Sequence, residues 1–260
     1  MNDPLHWYGV KNVPGTADDV FVAEGRHNVE GALRHGFALV SVLFVGDAQA
    51  DLAGRLPGDT PVFRKTKAEA RDVFGVDFHL GVAALVRAPA PQRLEEVLPA
   101  GFAADAPSKT IVVCPCLGDA SNLGAIVRNA AAFGAEAVVC GDRGVSPWSR
   151  KAVRAASGTM FAIPVFVSPD LHADLDAAVA HGATLAATRL APDAVALPDW
   201  RPAGRHTLIL MGGEAHGLAP EWLRHPHDAV IIPMAPGIDS LNVAATSAIV
   251  LYHLKHRRPN

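Results

Sequence analysis

The sequence predicts an α/β protein built in two parts, with a mostly parallel, two-sided sheet in its C-terminal part. Three observations carry that expectation. From Thr110 onward, short runs rich in Val, Ile and Ala alternate with amphipathic stretches, as when buried strands are joined by helices. Between Ala88 and Lys109 the chain carries Pro89, Pro91, Pro99 and Pro107 among Ala, Glu and Gly, a composition that suits a connector better than a core. A length of 260 residues is enough for two modest cores. The expected division is residues 1–89, a linker at 90–108, and residues 109–260.

In the first part, Val20 to Val45 reads as a strand, a helix through Val29 and Leu33 ending at Gly36, and the apolar strand Leu39 to Val45. Val82 to Val86 supplies another strand. The second part opens with the strand Ile111 to Cys114, the helix Leu123 to Phe133, the strand Ala137 to Cys140 and a helix near Ser149 to Ala156. Strands at Phe161 to Phe166, Thr184 to Ala187, Thr207 to Met211 and Ala229 to Ile232 follow. A helix over Leu171 to Ala180 separates the first two of these, and a helix from Leu241 to Leu254 comes last. No internal repeat or low-complexity tract interrupts the pattern.

Half of the residues are hydrophobic and 19% are charged, which fits a globular chain and argues against disorder. The formal net charge of -3 supplies no overall basic field, so nucleic acid would have to be held by a local patch. Cys114, Cys116 and Cys140 are too few, and of the wrong parity, for a disulfide framework, which points to a reducing compartment. The N-terminus, with Asp3 and His6 and no apolar run, does not read as a signal peptide. The longest apolar stretch, Phe37 to Val45, is far short of the ~20 residues a spanning helix needs. A cytoplasmic protein with no membrane partner is expected.

Three strand-to-loop junctions are candidates for chemistry. In Asp119-Ala120-Ser121-Asn122-Leu123-Gly124-Ala125-Ile126-Val127-Arg128-Asn129, Ser121 or Asn122 is expected to cap a helix. The apolar stripe of that helix is Leu123, Ile126, Val127, Ala130 and Phe133, which leaves Arg128 at the polar edge, and Gly134 suits the left-handed stop. Taken alone, it is equally an ordinary capped helix with a solvated Arg. In Leu208-Ile209-Leu210-Met211-Gly212-Gly213-Glu214-Ala215-His216-Gly217-Leu218, two glycines follow a buried strand and permit close approach of a ligand or another backbone. Their spacing does not fit a dinucleotide-binding fingerprint, and Glu214 reads as a polar anchor or a turn carboxylate. The third junction, Ile231-Ile232-Pro233-Met234-Ala235-Pro236-Gly237-Ile238-Asp239-Ser240-Leu241-Asn242, breaks a strand at a Pro/Gly turn. Ser240 and Asn242 there suit capping, while the apolar rim suits a flat aromatic ligand.

In order and in internal spacing, the three junctions resemble the motifs of SpoU-type RNA ribose 2′-O-methyltransferases of the SPOUT superfamily. The residues are Asn122-x-Gly124-x3-Arg128, then Gly212-x-Glu214-x2-Gly217-Leu218, then Ile232-Pro233-Met234 followed by Ser240-Leu241-Asn242-Val243. Phe21-Val22-Ala23-Glu24-Gly25, with the helix and strand after it, is similar to the small α/β RNA-binding domain that often precedes this catalytic domain. The resemblance implies a SPOUT parallel-sheet domain over 109–260 whose last segment threads a trefoil knot, a small RNA-binding domain over 1–89, and a homodimer. It implies S-adenosylmethionine as cofactor, without a metal, and rRNA or tRNA as substrate. Gly212, Ile232 and Leu241 would line the cofactor pocket; Asn122, Arg128, Glu214, Ser240 and Asn242 would form the polar catalytic site. Ala120 stands where the family commonly has Pro, and Ala244 where a small hydroxyl residue is frequent, neither at a position expected to do chemistry.

The expected activity is methyl transfer to a ribose 2′-hydroxyl. The alternative is an RNA-binding or ribosome-assembly factor that keeps the fold without turnover, and a small-molecule methyltransferase is disfavoured by the extra N-terminal domain. In the family Arg128 would take the hydroxyl proton, yet a guanidinium is essentially never deprotonated. Two roles therefore stand: a base tuned by an RNA phosphate, or a bidentate clamp on that phosphate while the proton leaves through Ser240, Asn242 or water. Candidate RNA contacts are Arg26, His27, Arg64, Lys65, Lys67, Arg143, Arg150, Lys151 and Arg154, of which most are expected to be solvated surface. Cys114-Pro115-Cys116 lacks the second Cys or His pair of a zinc site. His225, His227, His253 and His256 read as surface residues, and Trp148 and Trp222 as packing rather than base-stacking groups.

Overall fold

A computed structural model describes residues 4–9, 20–47, 49–97, 107–213 and 217–256. The chain begins with α1 (Pro4–Gly9), β1 (Val20–Glu24), α2 (Arg26–Arg34), β2 (Leu39–Val45), α3 (Ala50–Ala53), β3 (Val62–Lys65), α4 (Lys67–Phe74) and β4 (Val82–Arg87). It continues through α5 (Leu94–Val97), β5 (Thr110–Cys114), α6 (Ala120–Phe133), β6 (Ala137–Cys140), α7 (Arg150–Ala156), a 3-10 turn (Thr159–Phe161) and β7 (Val165–Val167). Next come α8 (Leu171–Ala180), β8 (Thr184–Thr188), β9 (Val195–Ala196), β10 (Thr207–Leu210), a second 3-10 turn (Trp222–Arg224), β11 (Asp228–Ile231) and α9 (Val243–His256). Two compact units result, Met1–Ala90 with Trp148–Ala162, and Pro91–Pro147 with Ile163–Asn260.

The first unit holds a four-stranded sheet in the order β1-β4-β2-β3, with β4 antiparallel to β1 and β2, and β3 parallel to β2. Only the three buried strands were legible in the sequence; β3 is a charged edge strand of alternating exposure, which apolar patterning does not flag. Helix α4 carries a Thr66–Glu69 capping box, the Glu69 N–H donating to Thr66 Oγ1 at 3.2 Å and the Thr66 N–H to Glu69 Oε2 at 2.8 Å. Tyr8 of α1 is fully buried, its hydroxyl 2.9 Å from Ser41 Oγ and accepting from the Leu85 N–H at 3.2 Å, so α1 is tied to β2 and β4 together.

Residues 148–162, whose helix the sequence pattern grouped with the C-terminal half, pack in this first unit. Arg150 pairs with the buried Glu24 carboxylate and donates to the Tyr8 carbonyl at 2.9 Å. Asn28 Oδ1 accepts from the Gly158 N–H at 2.7 Å, and α2 approaches so closely that a Cβ on Gly31 would lie 2.9 Å from the Gly158 oxygen. The rings of Trp148 and Phe161 join Phe21 at 4.9 and 6.1 Å, so Trp148 is a packing group. This accounts for a misplaced strand: Phe161 is spent in that cluster, and the sheet resumes after Pro164, giving β7 at Val165–Val167 rather than Phe161 to Phe166.

The second unit is a seven-stranded sheet in the order β7-β6-β5-β10-β8-β11-β9, every pair parallel. Ile111, Val113, Val139, Phe166, Leu185 and Leu208 form one core with Leu175 of α8, and Leu94 from the Pro-rich stretch is buried in it. From β5 the chain winds outward to β6 and β7; β8 and β11 then occupy the other side, and β10 is laid last but one between β5 and β8. Strand order therefore reverses at β10, and the crevice at the carboxyl ends of β5, β10, β8 and β11 is where a parallel sheet receives a ligand. His225, expected at the surface, is buried, held by Asp176 Oδ1 at 2.7 Å and His172 Nδ1 at 2.9 Å, because the 3-10 turn beside it folds back onto α8. Trp222, in the same turn, is buried and stacks on His172 at 4.1 Å. No described helix is long and apolar enough to cross a membrane.

The Glu24–Arg150 pair is a stability determinant of the first unit. The Glu24 side chain is 4% exposed and Arg150 16%, so removing the carboxylate strands a guanidinium that water reaches poorly. Glu24→Gln should cost about 3 kcal/mol, the low end for breaking a buried pair, read from chemical denaturation curves. A loss below about 0.5 kcal/mol, the level of an exposed pair, would show that Arg150 is not held by charge.

Candidate active site

The first motif sits on α6. Its cap is Asp119 rather than the expected Ser121 or Asn122: Asp119 Oδ1 accepts the N–H groups of Ser121 at 2.6 Å and Asn122 at 3.2 Å. An Asp two residues earlier supplies a stronger acceptor at the positive helix end and leaves the Asn122 side chain available. Gly134 closes the helix with φ 74, as its composition suggests.

Asn122 Oδ1 instead accepts from Asn242 Nδ2 at 3.0 Å, joining positions 120 residues apart. Asn242 also caps α9, its Oδ1 accepting from the N–H groups of Ala244 at 2.9 Å and Ala245 at 3.3 Å, so the last helix starts at Val243 rather than Leu241. Seven residues along α6, which is two turns and hence the same face, Asn129 Nδ2 donates to the Ala244 carbonyl at 2.8 Å and lies 2.9 Å from Ser247 Oγ. Asn129 and Ser247 escaped the sequence reading because each looks like an ordinary helix residue until α6 and α9 are side by side.

The second motif follows β10. Gly213 and Gly217 close the loop on themselves, with N–H to O distances of 2.9 and 3.0 Å, and Gly217 has φ 65. A Cβ on Gly212 would come within 2.7 Å of the Gly217 carbonyl carbon, so the turn is open to glycine alone at that point. Glu214 lies outside the described residues.

The third motif, the glycine loop and the end of β8 enclose a cleft of about 600 Å³. Gly212, Ile232 and Leu241 all line it, and so do Ser240 and Asn242. Leu218, Leu223, Val230 and Met234 give it apolar walls, while the exposed apolar side chains of Leu190 and Leu241 stand at its rim. Apolar walls interrupted by backbone N–H and C=O groups of a glycine turn suit a planar heterocycle with a polar edge, so the residues fit an adenosyl group. Thr188, Arg189 and Leu190 also line the cleft and were not anticipated. Thr188 ends β8 and the other two follow it; that β8 neighbours the Gly-rich strand β10 is decided by the sheet and not by the sequence.

Neither Asn122 nor Arg128 lines the cleft, but Asn122 is bonded to Asn242, which does, and Arg128 is not. Arg128 is exposed and makes no hydrogen bond or ion pair among the described residues. Helix geometry is the reason: at ~100° per residue Arg128 is rotated about a quarter turn from the Asn129 face that meets α9.

The Asn122–Asn242 bond carries a measurable consequence. Asn242→Ala removes a cap and should cost about 1 kcal/mol. A double-mutant cycle with Asn122→Ala should return a coupling of about 0.5–1 kcal/mol in denaturation experiments, and additivity within about 0.3 kcal/mol would mean that the two side chains act independently.

A model of the SpoU rRNA Methylase family matches residues 109–252. The chain is 32% identical to an uncharacterized tRNA/rRNA methyltransferase of Mycobacterium tuberculosis, over 91% of this chain and 81% of the relative. It is 28% identical to the 23S rRNA (guanosine(2553)-2′-O)-methyltransferase RlmP of Bacillus subtilis, over 92% of this chain and 90% of the relative. Among solved structures, the AdoMet-bound rRNA methyltransferase from Sinorhizobium meliloti is similar at a TM-score of 0.77 and 26% identity, covering 90% of this chain and 86% of that one. The SpoU methyltransferase AviRb from Streptomyces viridochromogenes, at 24% identity, shares the fold with a TM-score of 0.80 over 96% of this chain and 95% of its own. With the parallel sheet, the glycine turn and the cleft at the strand-order reversal in place, the chain belongs to the SpoU rRNA methylase family.

Proposed function

We propose that the protein is an S-adenosylmethionine-dependent methyltransferase acting on a ribose 2′-hydroxyl of rRNA or tRNA, in the cytoplasm and as a homodimer. The observation that carries this reading is the cleft itself, where Gly212, Ile232 and Leu241 meet Ser240 and Asn242 at the reversal of strand order. Gly212, Ile232 and Leu241 would hold the cofactor through backbone groups and apolar contact. When bound, S-adenosylmethionine supplies an electrophilic methyl group on a sulfonium. The work of the chain is to place the ribose oxygen in line with that methyl and to accept its proton. Ser240 and Asn242 line the cleft within reach of such an acceptor, and Asn122 fixes the Asn242 amide. Glu214 is assigned to the same polar site on its place in the second motif.

For Arg128, a phosphate clamp is better supported than a base, because the guanidinium is exposed and its planar fork matches a phosphate. Its place off the cleft of its own chain also supports the homodimer, in which a second copy would bring the arginine to the site. The kept set of Asn122, Arg128, Ser240 and Asn242 supports turnover over a catalytically silent RNA-binding role. We extend the reading to the chain path, with the C-terminal segment after β10 threading a trefoil knot, and to the domains, with 1–89 binding substrate RNA, 90–108 as linker and 109–260 carrying the methyltransferase.

Ion pairing narrows the candidate RNA contacts. Arg26 is held by Asp51 at 2.5 Å and Glu30 at 3.0 Å, Arg143 by Glu221 at 2.5 Å, and Lys65 by Glu69 at 3.6 Å. Arg150 pairs with Glu24, and Arg154 lies 3.6 Å from the same carboxylate. Arg64, exposed over the Phe44 ring at 5.2 Å, and Lys67 beside it are better placed to meet phosphate.

Incubation with tritiated S-adenosylmethionine and total rRNA and tRNA, then digestion to nucleosides, should place label on ribose in one RNA class. Label on a base, or none in either class, would overturn the assignment. Arg128→Lys keeps the charge but loses the fork and should lower turnover ~100-fold or more, so near-normal turnover would exclude the clamp. Arg64→Ala should reduce the slope of log affinity for single-stranded RNA against log salt by about 0.7, whereas an unchanged slope would remove Arg64 from the contact surface.

A further inference from the structure

We infer that Arg189 binds the α-carboxylate of the cofactor's methionine moiety, a reading that rests on the cofactor cleft proposed above and deepens it. Arg189 follows β8 and lines the cleft. Its backbone N–H donates to the Val230 carbonyl at 3.1 Å, which pins the residue between the ends of β8 and β11. The side chain is only 30% exposed, and its Nε is buried with no hydrogen-bond partner among the described residues. Among the described residues the guanidinium meets one carboxylate, that of Asp193, through an Nη at 3.6 Å, and Asp193 is itself 75% exposed. That contact leaves the buried Nε of a cleft-lining residue unsatisfied, an arrangement costly enough to call for an acceptor.

The chemistry of the cofactor selects the acceptor. Adenosine is neutral, and the sulfonium and the α-ammonium are cations that a guanidinium repels. The carboxylate is the sole anionic group, and its two oxygens match the Nε/Nη edge of an arginine side-on. Arg189 would thereby hold the amino-acid end at β8 and leave Ser240 and Asn242, on the loop after β11, to the acceptor ribose. An RNA phosphate is the rival occupant. It is disfavoured because a phosphodiester approaching from solvent meets outward Nη groups, whereas the unsatisfied atom here is the inner Nε.

Calorimetry of the full chain with two ligands separates these readings. S-adenosylhomocysteine carries the carboxylate; 5′-methylthioadenosine has the same nucleoside and thioether without the amino-acid end. Arg189→Gln should weaken S-adenosylhomocysteine binding about 10- to 100-fold and leave 5′-methylthioadenosine binding unchanged, which also shows that the variant is folded. Arg189→Lys, with charge but no planar edge, should recover only part of the loss. Equal losses for both ligands would make Arg189 a merely structural residue and overturn the inference. Unchanged S-adenosylhomocysteine affinity with weakened RNA binding would assign it to phosphate. Failure of the wild-type chain to bind either nucleoside would instead remove the cofactor site itself, and the inference with it.

Discussion

The site depends on the docking of α9 along α6. The two helices lie far apart in sequence, and each carries polar residues where a packed helix face would ordinarily be apolar. Asn129 reaches the Ala244 carbonyl and Ser247, and Asn242 reaches Asn122, so the contact is registered by directional bonds at two heights along the pair. Apolar packing alone tolerates sliding, whereas losing the part-buried bonds of Asn129 leaves an unpaired group. The start of α9, and with it Ser240 and Leu241, is thus set against the start of α6.

The sheet supplies the second constraint. Inserting β10 between β5 and β8 brings the turn after β10 beside the ends of strands laid down much earlier and later in the chain. The closed Gly213–Gly217 turn then lines one cleft with Thr188 to Leu190 at the end of β8 and Ile232 after β11. Gly212 cannot carry a side chain there because its own loop fills the space, which links a sequence feature to a steric cause. The cleft follows from strand order and loop closure together.

Charge in the first unit is spent mostly on structure. Glu24 is nearly inaccessible and holds Arg150, with Arg154 near the same carboxylate, while Arg26 is shared between Glu30 and Asp51. A count of basic residues therefore overstates what is available to an anionic partner. Arg64 on the edge strand β3 and Lys67 at the start of α4 are exposed, since no strand covers the outer edge of β3.

Much of this protein was legible from local pattern. Apolar runs gave the buried strands, Gly134 gave the end of α6, and the second and third motifs gave Gly212, Ile232, Ser240, Leu241 and Asn242, all of which line one cleft. These are features of neighbouring residues: periodicity, a left-handed stop, glycine where backbone must approach backbone. Other features were not local. Edge strand β3 lacks an apolar pattern, the helix at 150–156 took its place from the buried Glu24, and the cap of α6 went to Asp119 because it released Asn122 for Asn242. Arg189 and Asn129 carry no sequence signal, since their meaning lies in what the fold sets opposite them. The sequence by itself determined which segments form strands, helices and tight turns, because those depend on residues a few positions apart. Only the tertiary structure decided which polar groups are satisfied and which face the cleft, because hydrogen bonding and burial depend on partners more than a hundred residues away.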